Sequence, residues 1–181
     1  MILTHSEQKQ LLQVAFRAIE SVVTGKPDIR PNTGELYPGL IKPGGAFVSL
    51  YVSGKLRGCI GTFSESEALH QNVRQMAVAS ATTDSRFPSI KEEELKELDM
   101  EISVLGPREP VSRPEDVIIG KHGIYMVQGH RRGTLLPQVA LQQNWNAPDF
   151  LRHCAEYKAG IGPDGWKQAE LFVFEAQVIK S

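Results

Sequence analysis

Apolar residues recur at three- and four-residue steps between His5 and Thr24, at Leu11, Leu12, Ala15, Phe16, Ile19, Val22 and Val23. That spacing gathers them on one face of a helix. Thr4 with Glu7 makes a capping-box pattern at its start, and Gly25 supplies a stop. The period is lost over residues 26–45, where four prolines and four glycines predict a long ordered loop that wraps the body. Alternation begins at Ala46, with Phe47, Ser49 and Tyr51 interleaved with Val48, Leu50 and Val52. Ser53-Gly54 and the extended run over residues 55–61 complete a hairpin signal.

Further along, Ser64-Glu65-Ser66-Glu67 offers an N-cap and first-turn acids to a helix striped by Leu69, Val73, Met76, Ala77 and Ser80. Asp84-Ser85-Arg86-Phe87-Pro88 breaks it. Residues 91–98 predict a short acidic helix, and Met100, Ile102 and Val104 alternate as a strand. Three prolines mark a loop up to Asp116. A strand over residues 124–127 has its expected hairpin partner at 134–136, and Pro137 opens a short helix through Asn144. A last helix spans 149–158 and is stopped by Gly160. One final strand covers 171–179, with Phe172, Phe174, Ala176 and Val178 on one face. Hairpins mixed with helices, without repeating strand-helix units, predict an α+β class with a largely antiparallel sheet flanked by helices.

At 181 residues the chain has room for one folded module, with space for two lobes, and a sizeable core. The formal net charge of -1 removes any general field for nucleic acid or anionic lipid. Such binding would need a local basic patch, so a dedicated nucleic-acid module is disfavoured. No window reaches the roughly 18 apolar residues of a membrane span. The amino-terminal stretch has no uninterrupted apolar signal core, and two cysteines 95 positions apart form no disulfide framework. A cytoplasmic protein with reduced thiols is expected.

Candidate chemistry concentrates in Leu56-Arg57-Gly58-Cys59-Ile60-Gly61. Period-two geometry puts Arg57, Cys59 and Gly61 on one face, so a guanidinium and a following helix start stand ready to stabilise a thiolate. Two uses are open for Cys59: a nucleophile, or a packed thiol of the kind common in cores. Gly58 and Gly61 mark a bulge or a close approach by ligand or backbone. A nucleophile wants a base, and His122, between Gly120 and Gly123, is placed to be acid or base or else to hold its own turn by a local hydrogen bond. Asp84 and Arg86 orient a ligand or pair with each other. His130-Arg131-Arg132 reads as a solvated hairpin turn. Phosphate loops, dinucleotide fingerprints, the nucleophile elbow and C-x-x-C or H-E-x-x-H spacings are all missing, so no metal site or cofactor is evident.

The hexapeptide at residues 56–61 matches the signature of the AMMECR family. The likeness extends through Asp84-Ser85-Arg86-Phe87-Pro88, Glu101-Ile102-Ser103-Val104-Leu105, Gly120-Lys121-His122-Gly123, Leu135-Leu136-Pro137-Gln138-Val139-Ala140 and Lys158-Ala159-Gly160, in order across nearly the whole chain. The resemblance implies a two-lobed α+β domain in which the hexapeptide and the histidine turn border a cleft. It also implies partners, since similar proteins accompany a Memo-like protein and a radical SAM protein in the AmmeMemoRadiSam system, of which this chain resembles protein A. Where the family often has a cysteine two residues before the Lys-Ala-Gly block, this chain has Glu156. Two functional readings follow: a binding or regulatory module that presents the hexapeptide surface, or an enzyme or modification factor using Cys59 with His122.

Overall fold

The computed structural model describes residues 2–181. In chain order its regular elements are helix α1 (His5–Thr24), strands β1 (Ala46–Val52) and β2 (Lys55–Thr62), helix α2 (Leu69–Thr82), and strands β3 (Leu98–Leu105) and β4 (Glu109–Val111). Strands β5 (Gly123–Gln128) and β6 (Arg131–Leu135), helices α3 (Pro137–Gln143) and α4 (Ala147–His153), and strands β7 (Glu170–Phe174) and β8 (Ala176–Lys180) complete it. These form two compact units, one reaching to Leu105 and taking back Gln177–Ser181, the other Gly106–Ala176.

The first unit is a four-stranded sheet in the order β2-β1-β3-β8, with β1 antiparallel to both neighbours. α1 and α2 lie on its core. α1 buries Leu11, Val14, Ala15, Ala18 and Ile19, while Val22 remains exposed, so the buried stripe is centred one position away from the one read in the sequence. Each fully buried Leu, Ile or Val contributes about 1.5–3 kcal/mol of transfer free energy, and Val48, Leu50, Val73 and Ile102 add to the same core. The capping box forms as expected, with Thr4 accepting from the Glu7 N–H and Glu7 accepting from the Thr4 N–H, and Gly25 takes a left-handed φ of 71°. Glu7 also accepts from the Gly39 N–H at 2.8 Å, which ties the long loop to the helix start. Leu36 and Leu40 carry that loop into the core.

The second unit is a second antiparallel sheet, β4-β7-β5-β6. Its own core joins Ile124, Met126, Leu171 and Val173 to Phe150, Leu151, Cys154 and Ala155 from the helical segment. No helix among the described residues is long and apolar enough to cross a membrane.

Several expectations are corrected. The run over 171–179 is two strands, because the chain passes from one sheet to the other at Glu175, and alternation carries no information about which partner a strand has. The 107–116 loop contains β4 and a 3-10 turn at Pro114–Asp116. Ser64 and Ser66 do not cap α2: their hydroxyls bond each other at 2.7 Å and the N-cap is Ala68. The partner of β5 begins earlier, at Arg131, pairing Gln128 with Arg131. The last helix starts at Ala147 and continues beyond His153 as a π-helical turn, Cys154–Ala159.

Candidate functional site

β2 is an edge strand, and edge strands expose unpaired backbone groups. At Cys59 those groups are taken by side chains. The Cys59 N–H donates to Asp84 Oδ2 at 2.8 Å, and Arg86 Nη2 donates to the Cys59 carbonyl at 2.9 Å. Asp84 and Arg86 are joined in turn by Nε to Oδ1 at 2.9 Å and Nη2 to Oδ2 at 2.6 Å. The pair therefore acts as a substitute strand, offering one acceptor and one donor to one residue of the edge. Asp84 is buried, and the Arg86 guanidinium hydrogen-bonded to it, aided by the two backbone N–H groups, holds its carboxyl far below the usual carboxylate range. The same pairing pushes Arg86 up. The pairing expected for Asp84 and Arg86 is present, and it is built onto Cys59.

The two glycines have packing roles in this arrangement. A Cβ on Gly58 would stand 2.0 Å from the Ser80 carbonyl oxygen of α2, and one on Gly61 would stand 2.2 Å from the Phe47 ring. Close approach lets the buried Ser80 hydroxyl donate to the Val48 carbonyl at 2.8 Å and accept from the Ile60 N–H at 2.9 Å, bridging β1 and β2. Arg57 departs from the expected pattern. The register shifts between Leu50 and Tyr51, so that Gly58 faces Leu50 and Leu56 faces Tyr51, leaving Arg57 as the extra residue of a bulge. Strict alternation is broken there, and the row containing Cys59 continues through Leu56. The Arg57 guanidinium pairs with Glu94 and donates to the Pro88 carbonyl at 3.2 Å.

Cys59 is half-buried. Its thiol accepts from Ser49 Oγ at 3.2 Å, and Ser49 is the cross-strand partner of both Cys59 and Glu101. Glu101 in turn meets Lys180 Nζ at 3.2 Å. A thiol, a hydroxyl, a carboxylate and an ammonium thus form one polar row across all four strands. Tyr51, two residues from Ser49 on the same face, has its phenol pushed up by burial, with the charges of Glu101 and Cys59 adding to the effect. Sequence reading missed Ser49, Glu101 and Lys180 as members of one row. The available signal was a polar residue interrupting each apolar strand; the register that aligns them is a tertiary property.

His122 belongs to the second unit, and the Cys59 cluster to the first. His122 Nδ1 accepts from the Ile118 N–H at 3.2 Å, and the His122 backbone N–H donates to the Ile118 carbonyl at 2.9 Å. The ring therefore holds its turn, and a neutral ring so bonded carries its proton on Nε2. Cys154 is fully buried, and burial pushes its thiol up to about 12. Iodoacetamide at pH 8 is expected to label Cys59 and leave Cys154 unmodified until the chain is unfolded, as read by peptide mass spectrometry; equal labelling of both in the folded protein would refute this assignment. Among the described residues no group of three or more His, Cys, Asp or Glu could hold a metal ion.

The sequence profile of the AMMECR1 family matches residues 12–179. A protein of Methanosarcina mazei is 37% identical and covers 99% of this chain and 94% of its own length. One from Methanothermobacter thermautotrophicus is 37% identical over 97% of this chain and 95% of its own. The crystal structure of an uncharacterised protein from Pyrococcus horikoshii superposes with a TM-score of 0.90 at 32% identity, covering 97% of this chain and 92% of that one. Profile, relatives and fold agree over nearly the whole length, and the chain belongs to the AMMECR1 family.

Proposed function

We propose that this protein is a binding module whose recognition surface is the covered edge of β2 over residues 56–61, with Arg86 engaging an anionic group of a protein partner. One observation carries this reading: the Arg86 side chain is 51% exposed although tethered at once to Asp84 and to the Cys59 carbonyl. Its Nε and Nη2 are used inward, which leaves the Nη1 donors for an outside acceptor. A cation fixed before binding loses little side-chain entropy when it binds, and a guanidinium suits a carboxylate or phosphate. The family resemblance nominates a Memo-like or a radical SAM protein as partner.

Titration calorimetry with each purified candidate tests this. Arg86→Ala is expected to weaken binding about tenfold, the loss of one charge-assisted contact, and Cys59→Ser to leave the affinity unchanged. Absence of binding to both candidates, or indifference to Arg86→Ala, would sink the proposal.

A second reading rests on the Ser49 hydroxyl, which donates to the Cys59 sulfur and holds it in one orientation. Cys59 would then be a nucleophile. That reading expects Ser49→Ala to slow Cys59 alkylation at neutral pH, and expects Cys59→Ser to abolish cellular function while partner affinity is retained.

A further inference from the structure

The sheet of the second unit has one face packed under its helical segment and another that is only partly covered. Register defines two rows on the latter. Phe172, Tyr125 and Thr134 lie side by side across β7, β5 and β6, and the next row on the same face is Glu170, Val127 and Arg132. The Tyr125 and Phe172 rings are 6.2 Å apart and inclined at 51°. Arg108, just before β4, sets its guanidinium 5.0 Å from the centre of the Tyr125 ring. Together Arg108, Tyr125, Val127, Arg132, Glu170 and Phe172 line a hollow of about 370 Å³, within the range of about 300–1,000 Å³ typical of small-ligand sites.

We infer that this hollow is a site for a guanine nucleotide. Two aromatic rings and an arginine plane are the surfaces on which a nucleobase stacks. The Arg132 guanidinium at the rim suits a phosphate. The single carboxylate, Glu170, opposes a bare phosphate but suits guanine, whose neighbouring ring and exocyclic N–H groups present a pair of donors to its two oxygens. Among the described residues neither Glu170 nor Arg132 enters an ion pair, so both are available to a ligand. In a chain of net charge -1 the attraction for a phosphorylated ligand has to be local, and the Arg132 guanidinium supplies it at this hollow. The site uses none of the residues of the Cys59 surface and stands independently of the proposed partner binding.

The test is a titration of the full chain with GMP, AMP, UMP and inorganic phosphate, followed by amide chemical shifts. GMP is expected to bind saturably, with shifts centred on β5 and β7, and more tightly than AMP or UMP. Arg132→Glu, an exposed substitution that leaves the core untouched, is expected to weaken GMP at least about tenfold. Glu170→Gln should remove the preference for GMP over AMP. A guanosine-containing tetranucleotide distinguishes a free nucleotide from a strand end, and either supports the same chemistry. No saturable shift with GMP at millimolar concentration, phosphate binding as tightly as GMP, or GMP binding indifferent to Arg132→Glu would each overturn the assignment.

Discussion

Gly58→Ala is expected to destabilise the first unit by about 3 kcal/mol, at the upper end of overpacking costs. The obstacle is backbone, since the added methyl would sit 2.0 Å from the Ser80 carbonyl oxygen. No rotamer change relieves that contact; α2 must move off β2. Such a movement also draws the Ser80 hydroxyl away from the Val48 carbonyl and the Ile60 N–H, which are buried or half-buried and would lose a partner. Gly34→Ala is the control, because a Cβ there meets nothing within 4 Å. Urea denaturation should show a large fall in midpoint for Gly58→Ala and almost none for Gly34→Ala. Equal midpoints for the two variants would remove the packing explanation of the signature glycine and return it to a ligand role.

Removing the Asp84 carboxylate is expected to cost about 2 kcal/mol at neutral pH, the penalty of leaving the Cys59 N–H and the inward donors of Arg86 without an acceptor. The pH dependence has a definite sign. The folded-state carboxyl lies below its unfolded value of about 3.9, so its contribution is fully present above that pH and is lost as pH falls through the folded value. Wild type should therefore lose stability below about pH 4 more steeply than Asp84→Asn, with the two curves converging in strong acid. Parallel curves would show that Asp84 titrates normally and that the clamp on Cys59 is not charge-assisted. Because Arg86 is anchored by the same carboxylate, Asp84→Asn should also weaken partner binding, although Asp84 lies buried beneath the guanidinium.

Much of this architecture was legible in the sequence where the information is local. The capping box of Thr4 and Glu7, the Gly25 stop and the hairpin of β1 and β2 each depend on residues within a few positions of one another. Asp84 and Arg86 were visible as a possible pair because a turn brings positions two apart together. The bulge at Arg57 was not legible, since it arises from the β1 register, and it separates a guanidinium that simple alternation had set beside Cys59. Gly58 and Gly61 stand out as glycines inside a strand, a pattern that is the same whether backbone, ring or ligand comes close; only the packing shows Ser80 and Phe47 there.

The α+β class, the antiparallel habit of the strands and the family are all readable from local sequence, because periodicity, turn residues and ordered motifs are properties of neighbouring positions. Tertiary structure alone decided that the strands divide between two sheets, that the final run serves both, and that Cys59, Ser49, Glu101 and Lys180 form one row. The reason is physical: alternation states which face a side chain takes, while strand order and register are set by where all the apolar faces can be buried together, a condition that no single segment contains.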